Sequence, residues 1–277
     1  LDAQLKKWLK LGLNIAYSST SESIKLADSE QGLINYSLTT PPDIQIYNLD
    51  GSYSSVSRQG FTNPNPIAMA MMDDILLDRQ KLNGRIFMDV APINHLSWHT
   101  ELGWDLGWSK GETYKPMVHL GTWDRSQNQS RLQKNSNTFW SFKNYLTYNN
   151  SFGKNNITAM LGQEAWESKY GYASVYNTQL PNDVVHNPSL GSGDPKIGAG
   201  FGSSAMASFF TRETYNYDDR YLATYTFRYD GSSNFGPNKR WAGFHSLAVA
   251  WRFRNEQFIK DLTGNWLING KLRLGWE

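Results

Sequence analysis

The sequence contains no cysteine among its 277 residues. This absence excludes disulfide frameworks, thiol nucleophiles and zinc sites built on thiolates. The chain also lacks any run of 18 apolar residues, so the sequence offers no transmembrane helix. Its formal net charge is only +2, and no stretch is rich in lysine and arginine. A nucleic-acid partner is therefore not expected.

Aromatic residues, by contrast, are abundant: 11 Trp, 15 Tyr and 13 Phe make up 14% of the chain. The mean hydropathy is low, at −0.57. A low average does not exclude a membrane protein built of β-strands, because lipid-facing and lumen-facing residues alternate along such strands and cancel in the average. Abundant aromatic residues are typical of such proteins, whose strands carry aromatic girdles at both membrane interfaces.

Two stretches, residues 221–229 and 244–253, alternate strictly between two kinds of side chain. In the first, aromatic or apolar residues occupy the odd positions, while Thr and Arg occupy most of the even ones. Strict alternation indicates a strand whose two faces meet different surroundings. A polar loop that begins at Asp230–Gly231 joins the two stretches, which predicts a hairpin. The nine-residue length, with Tyr at both ends of the first strand, is typical of a tilted transmembrane strand.

The same region carries a resemblance to a known family. Three segments follow one another in the chain: RYLATYTFRYDGSSNFGPNKRWAGFHSLAVAWRF, NEQFIKDL and INGKLRLGWE. Their order resembles the SusC/RagA family of TonB-dependent outer-membrane transporters, with a strand, Arg and DGSS-x-FG, an N-x-RW-G-F-S step, a strand ending in GWR, a short acidic helix and an LKLR strand. Tyr229 stands where the family often has a second basic residue, and Ala250-Trp251-Arg252 replaces Gly-Trp-Arg. Looser matches at the start and middle extend the resemblance over most of the chain, apart from the long loops.

The resemblance implies an all-β fold, an antiparallel transmembrane β-barrel segment of about nine strands from a larger plugged barrel with long extracellular loops. Residues 1–277 would then be part of a single outer-membrane β-barrel domain. We expect the plug, the TonB-contacting segment and the closing strands to lie outside this chain. The absence of an initiator Met and a signal peptide, and an end inside a strand-like run, favour an excerpt of a longer polypeptide.

Connection lengths predict the orientation of the strands. Predicted strands cover residues 5–17, 84–91, 95–105, 138–148, 156–166, 203–215, 221–229, 244–253 and 271–276. Long loops at 18–83, 107–136, 167–202 and 230–243 alternate with tight turns at 92–94, 149–155 and 216–219. Outer-membrane barrels have long extracellular loops and short periplasmic turns. The connection at 254–270 is the exception, since it is periplasmic by parity yet long.

Two short helices are expected inside these connections. One covers residues 66–82, with Asn65 as its N-cap and Pro66 as its first residue. The other lies around residues 256–262, where the family resemblance implies a short interfacial helix.

Several motifs resemble metal, catalytic or cofactor sites, but their spacing does not support these roles. His95 and His99 lie four residues apart without a carboxylate at metal-ligand spacing, so no metal site is expected. Glu164 and Glu167 could form a carboxylate pair for glycoside hydrolysis, but nothing in the sequence fixes their separation, and a solvated rim is favoured. The GAGFG run at 198–202 lacks the preceding strand and following helix of a dinucleotide-binding loop. We therefore expect no catalytic residue, no metal and no cofactor.

Six aromatic residues in the predicted extracellular loops are the candidate ligand-binding residues: Trp108, Tyr114, Trp123, Tyr170, Tyr172 and Tyr176. Aromatic faces with polar rims suit sugars and equally suit peptides. Packing of the loops against one another, or against a lid protein, is the alternative role for each residue.

The resemblance implies import of oligosaccharide or peptide cargo across the outer membrane. The partners would be outer-membrane lipid, a SusD-like surface lipoprotein and the TonB complex, the last through parts outside this chain. Two alternatives share the sequence pattern. One is a non-transporting outer-membrane barrel, such as an adhesin or an enzyme. The other is a soluble β-sandwich, as in carbohydrate-binding proteins and glycosidases.

Overall fold

Twelve strands and three short helices make up the regular structure of the protein in a computed structural model that describes residues 1–25, 32–54, 63–121, 123–264 and 266–277. The strands are β1 (Asp2–Lys6), β2 (Leu9–Ser23), β3 (Asp74–Ile93), β4 (Leu96–Lys115), β5 (Val118–Leu120), β6 (Trp123–Arg125), β7 (Gln129–Phe152), β8 (Asn155–Thr178), β9 (Lys196–Tyr217), β10 (Tyr221–Ser232), β11 (Trp241–Trp251) and β12 (Leu272–Trp276). The helices are α1 (Leu33–Thr39), α2 (Pro66–Met72) and α3 (Gln257–Thr263). Within the described ranges, no helix is both long and apolar enough to cross a membrane.

Ten of the strands form one antiparallel sheet in the order β1-β2-β3-β4-β7-β8-β9-β10-β11-β12, while β5 and β6 pair separately. Each strand of the large sheet pairs with the next large-sheet strand along the chain, so the sheet is an up-and-down meander. The expected antiparallel architecture is confirmed. The sheet does not close on itself, because β1 and β12 stand at its two ends.

The register gives the sheet one continuous apolar face. Directly opposed residues point to the same side of a sheet, and one row runs across six strands through Leu13, Ile86, Leu102, Phe142, Ala165 and Ala207. We call this side the apolar face and the opposite side the polar face. Two aromatic girdles bound the apolar face. The girdle near the tight turns contains Trp98, Tyr148, Tyr215, Tyr217, Tyr221 and Trp251, and the girdle toward the long loops contains Trp104, Trp108, Trp140, Phe209, Tyr229 and Trp241.

The sheet has no second layer packed against its apolar face in the described residues. Among the residues that the structure describes, the buried apolar ones are only Ala68, Tyr114, Val118 and Leu180, which lie in or beside the long loops. Side chains in the middle of the apolar face, such as Leu161 and Val249, stay exposed. In a soluble β-sandwich the corresponding side chains would interdigitate with those of a second sheet.

The strands extend much further than the alternation predicted. The predicted loops 107–136 and 167–202 are wrong at both ends, because β4, β7, β8 and β9 continue through them and leave loops of 116–128 and 179–195. Beyond the apolar band, toward the long loops, both faces carry polar residues. The strands still pair there, but the two-residue hydrophobic alternation that identifies a strand in the sequence is absent. At the other end, the predicted strand 5–17 is divided by a turn at residues 7–8 into β1 and β2.

The helix predicted over residues 66–82 is half right. The side-chain oxygen of Asn65 accepts hydrogen bonds from the backbone nitrogens of Ile67 (3.0 Å) and Ala68 (3.2 Å), and Pro66 is the first helical residue, which confirms the predicted start. The helix ends at Met72, however, and β3 begins at Asp74. Residues 74–82 are held in extended conformation by pairing with β4, and most of them also pair with β2, which overrides their local helical pattern.

The connection between β11 and β12 contains α3, as expected, and is fixed to the adjacent tight turn. The guanidinium of Arg220 hydrogen-bonds to the carboxylates of Asp218 and Glu256, the latter at 2.8 Å. Hydrogen bonds from Tyr221 and Arg220 lower the pKa of the Glu256 carboxyl. Asp218 and Asp219 both have positive φ values, as expected of a tight turn, and confirm the predicted turn at 216–219.

Candidate binding surface on the polar face

The six candidate aromatic residues do not form one cluster. Trp108 and Tyr114 lie on β4, and Tyr170, Tyr172 and Tyr176 lie on β8, so their predicted placement in loops is wrong; Trp123 lies in the small β6 strand. The register also separates them by face. Trp108 is directly opposite Gln80 and Ser136 on the apolar face, whereas the three tyrosines of β8 are on the polar face.

Tyr114 packs against a loop and is buried by it. Its ring stacks on His186 with centroids 3.9 Å apart and an interplanar angle of 3°. Its hydroxyl donates a hydrogen bond to the Asp183 carboxylate, and only 4% of the residue is exposed. Burial, together with the Asp183 carboxylate, raises the pKa of Tyr114. Tyr114 therefore packs the 179–195 loop onto the end of β4 and presents no free face to a ligand.

Trp123 is part of the packing between the long loops. The Arg125 guanidinium lies 5.6 Å from the Trp123 ring centroid. Arg125 also donates to both carboxylate oxygens of Asp73 (2.9 and 3.2 Å) and to the carbonyl of Pro116 (2.9 Å). Such bidentate pairing fixes the geometry of the guanidinium. The arrangement ties the β5–β6 hairpin to the end of the connection that precedes β3.

Tyr170 and Tyr172 pack across glycines of the neighbouring strand. Tyr172 is directly opposite Gly200, and Tyr170 is directly opposite Gly202. A Cβ atom added to Gly200 would lie 2.5 Å from Cε1 of Tyr172, and one added to Gly202 would lie 2.5 Å from Cε1 of Tyr170. The rings therefore occupy the space that side chains of β9 would fill. This arrangement explains the GAGFG run, which forms part of a strand and leaves room for aromatic rings.

A groove of about 480 Å³ lies beside these two rings on the polar face. Its side chains mix planar amides with charged groups: Asn135, Asn137, Arg79, Lys81 and Asp105. Lys81 pairs with Asp105 at 3.0 Å and Arg79 pairs with Glu22 at 2.6 Å. The Asn135 amide donates to the Ser109 hydroxyl at 2.9 Å, which fixes its orientation. Fixed amides and exposed rings are the groups that bind a polar ligand in a defined pose.

Two basic side chains flank Tyr176 at the loop end of the same strand. Arg131 on β7 is directly opposite Tyr176, and so is Lys196 on β9. The Lys196 ammonium lies 5.8 Å from the Tyr176 ring centroid. Neither cation has a carboxylate partner within the described residues. A second groove, of about 410 Å³, contains Arg131 and shares Arg79 with the first groove.

Comparison with known proteins shows which proteins this chain is similar to. No model of a known protein family matches the chain. The TonB-dependent receptor P3 of Formosa agariphila is 29% identical over 278 residues, an alignment that covers 94% of this chain and 27% of the receptor. The TonB-dependent receptor SusC of Bacteroides thetaiotaomicron is 35% identical over 143 residues, which are 49% of this chain and 13% of the receptor. The resemblance to the SusC/RagA family is confirmed.

A solved structure shows the fold. The RagAB peptide transporter matches 99% of this chain and 31% of the solved chain with a TM-score of 0.80 at 21% identity. The ten-stranded sheet thus has the fold of an unclosed part of that transporter's β-barrel, and the chain spans 27% of the length of the P3 receptor. In this fold the apolar face contacts lipid and the polar face lines the lumen.

The register excludes a paired role for Glu164 and Glu167. Glu164 faces the lumen, where it lies 3.5 Å from Lys143 and 3.6 Å from Arg228. Glu167 is on the apolar face directly opposite Trp140, whose indole nitrogen donates to it at 3.2 Å. Two carboxylates on opposite sides of a sheet cannot flank one glycosidic bond.

The two neighbouring histidines have separate structural partners. His95 sits in the turn before β4 with φ 70°, and its Nδ1 lies 3.0 Å from the carbonyl of Asn149. His99 faces the lumen with its Nδ1 2.5 Å from Asp89, and its ring stacks on Tyr145 at 4.7 Å. The part of the chain that the structure describes contains no group of three or more potential metal ligands.

The sequence interpretation missed the residues that complete the surface, namely Asn135, Asn137, Arg131, Lys196, Gly200 and Gly202. One signal could have indicated them. Gly198, Gly200 and Gly202 recur with the period of two that places residues on one side of a strand.

Proposed function

We propose that this chain forms part of the wall of an outer-membrane nutrient importer that is energised through TonB. The observation that carries the proposal is a register that keeps one apolar face between two aromatic girdles while the other face stays polar. The names of the curated relatives, TonB-dependent receptor P3 and SusC, support the same function. Because the chain spans about a quarter of the P3 receptor, the activity of the whole protein is part of the proposal.

The proposal assigns residues 1–277 to a single β-barrel domain. The plug, the TonB-contacting segment and the closing strands would come from polypeptide outside this chain. Lipid tolerates no unpaired strand edge, so β1 and β12 must each meet a further strand in the membrane. A SusD-like surface lipoprotein would close the extracellular mouth, where the 24–73, 116–128 and 179–195 connections lie.

Cargo of two kinds, oligosaccharides and peptides, fits an importer of this type. The solved RagAB protein is a peptide transporter. Its likeness to this chain concerns the fold, so the choice between the two cargo classes has to come from the lumen-facing residues. No catalytic step is part of the proposal, and the relatives named above are receptors and a transporter.

The two alternatives fit less well. A soluble β-sandwich would bury one stripe of each strand, whereas the apolar face is exposed across the sheet. A non-transporting barrel such as an adhesin shares the two-faced sheet. It does not account for the relatives' shared description as TonB-dependent receptors.

The test is cargo uptake by cells that carry the full-length gene, compared with cells in which that gene or tonB is deleted. We expect both deletions to abolish growth on the same nutrient, and the tagged protein to copurify with a surface lipoprotein. Uptake that depends on the gene but continues without TonB would contradict the proposed mechanism. Surface adhesion without any nutrient phenotype would favour the adhesin.

A further inference from the structure

We propose that the lumen wall carries a binding strip for an acidic oligosaccharide, formed by Tyr170, Tyr172, Arg131 and Lys196. The inference rests on the proposed import function and names the cargo class for the lumen of the same barrel. It starts from the four side chains on the polar face of β7, β8 and β9.

The two tyrosine rings supply the stacking surface. Each ring packs across a glycine of β9, and 60% of Tyr170 and 43% of Tyr172 remain exposed on the lumen side. The tyrosines are two residues apart on one strand, a spacing of about 7 Å. Successive sugar units of one chain can therefore stack on successive rings, and aromatic faces are favourable surfaces for the apolar faces of sugars.

Hydrogen-bonding groups border the rings. Asn135 is directly opposite Tyr172, and Asn137 is directly opposite Tyr170. Amides offer both donors and acceptors, so they can bind hydroxyl groups of either polarity. A row of amides alongside a row of rings matches a ligand that has hydroxyls at its edge and an apolar face.

The charge on the strip selects for anions. Arg131 and Lys196 lie on either side of Tyr176, and the described residues provide no carboxylate partner for either cation. Tyr176 is about 13 Å along β8 from Tyr172. An oligosaccharide that stacks on the two rings would thus bring a carboxylate or sulfate group to the basic pair, where a guanidinium and an ammonium bind anions well.

A peptide fits this surface less well than a sugar chain. Extended peptides gain affinity by pairing their backbone with the edge of a sheet. Tyr170, Tyr172 and Arg131 lie on β8 and β7, whose backbones are paired on both sides at the strip. β9 pairs with β10 only over residues 206–217, and the edge of β9 that lacks this partner over residues 196–205 is the one turned away from β8 and its rings. A ligand that lies over the rings therefore meets side chains only, and the flat rings and amides suit a carbohydrate.

The binding test uses the full-length protein that contains this chain, purified in detergent. The probes in calorimetry are galacturonic acid and galactose oligomers of equal length and an oligoglutamate peptide of equal charge. We expect the acidic sugar to bind about tenfold more tightly than the neutral sugar, and more tightly than the peptide. Binding of neither sugar, or tighter binding of the peptide, would overturn the proposal.

Variants separate stacking from charge. The double variant Tyr170→Ala/Tyr172→Ala should weaken binding of both sugars about tenfold, whereas Tyr170→Phe/Tyr172→Phe should retain it. Arg131→Gln/Lys196→Gln should weaken binding of the acidic sugar alone, so that the protein binds the two sugars with equal affinity. Tyr148→Ala and Tyr229→Ala are matched controls, because both residues are similarly exposed on the apolar face. Unchanged affinities in both double variants would overturn the proposal.

A further variant tests the stacking surface without replacing either tyrosine. Gly200→Ala puts a Cβ 2.5 Å from the Tyr172 ring and should displace it. Binding should fall while unheated gel migration still reports a folded barrel. Failure of the importer function is distinguishable from failure of the strip. TonB-independent uptake with intact Tyr-dependent binding would reject the importer alone, and TonB-dependent uptake unaffected by the strip variants would reject the strip alone.

Discussion

Glu213 lies directly opposite Tyr225 on the apolar face, and its Oε2 atom is buried without a hydrogen-bond partner in the described residues. The other carboxylate oxygen accepts a hydrogen bond from the Thr211 hydroxyl. In the barrel this face contacts lipid, where an ionisable side chain costs free energy. The buried Glu213 carboxylate therefore makes this part of the apolar face less stable than the parts around it.

Replacement of this carboxylate should stabilise the barrel. We expect Glu213→Leu to raise the free energy of unfolding by about 1 kcal/mol, since glutamate on a lipid face costs less than arginine or lysine but more than leucine. Urea-induced unfolding of the full-length protein in lipid vesicles measures the change. Val249→Leu serves as the control on the same face, and a lower stability of Glu213→Leu would contradict the lipid-facing assignment.

The two faces of β11 should respond in opposite ways. Val249 lies on the apolar face opposite Ala223 and Leu274, whereas Ala248 lies on the polar face opposite Thr224. Arg at position 249 should cost roughly 2–4 kcal/mol, while Ala248→Ser should be nearly silent. Cysteine labelling provides the independent check. A water-accessible Cys at 249 together with a protected Cys at 248 would place the register one residue off.

Protease added to intact cells should distinguish the two ends of the barrel. We expect proteinase K to cut within the 179–195 loop, where Val184 and Leu190 are well exposed, and to spare the turn at 218–220. The strand segment 167–176, which the alternation places in a loop, should also resist cleavage because its backbone is paired on both sides. Cleavage at the turn with sparing of the loop would invert the orientation.

The stack of Tyr114 on His186 should control the same loop. Tyr114→Ala removes the ring that packs the loop on β4 and should make the 179–195 loop several-fold more sensitive to protease. Tyr114→Phe keeps the stack and loses the hydrogen bonds of the hydroxyl with Asp183 and Asn128, so its effect should be smaller. Equal sensitivity of the two variants would show that the ring does not hold the loop.

Acid should loosen the connection between β11 and β12. The pKa of the Glu256 carboxyl is lowered from 4.5, so the folded state favours its ionised form. This stabilisation is fully present above pH 4.5 and is lost as the pH falls through the lowered folded-state value. Hydrogen exchange in α3 should rise in that range for the natural protein. Glu256→Gln should exchange faster already at neutral pH and lack the acid transition; a transition of unchanged size would assign it to another group.

The sequence predicts the β10–β11 hairpin well because its residues meet lipid on one side and water on the other. Tyr225 and Val249 share a face in the pattern and in the structure. The same reasoning fails for residues 167–178 of β8, where Lys169 on the apolar side and Tyr170 on the polar side both lie beyond the band of strict alternation. A strand with similar surroundings on both sides has no two-residue hydrophobic signal.

Long-range register explains why the binding surface was only partly predicted. The sequence shows the tyrosines as aromatic residues near polar neighbours, but the face that each occupies depends on pairing through several strands. Trp108 and Tyr172 have similar neighbours in the sequence but lie on opposite faces of the sheet. Likewise, the relation between Tyr172 and Gly200 is visible only once β8 and β9 are aligned, since 28 residues separate them in sequence.

The meander order has a consequence for how the wall assembles. The pairs β3–β4, β7–β8 and β9–β10 are each joined by a tight turn, so their pairing requires little chain entropy. By contrast, β2 reaches β3 only across the 24–73 connection, and each doubling of loop length costs about 0.6 kcal/mol more to close. Preformed hairpins are therefore the natural units of insertion, and the β2–β3 contact is the step at which formation of the sheet depends most on the long connection.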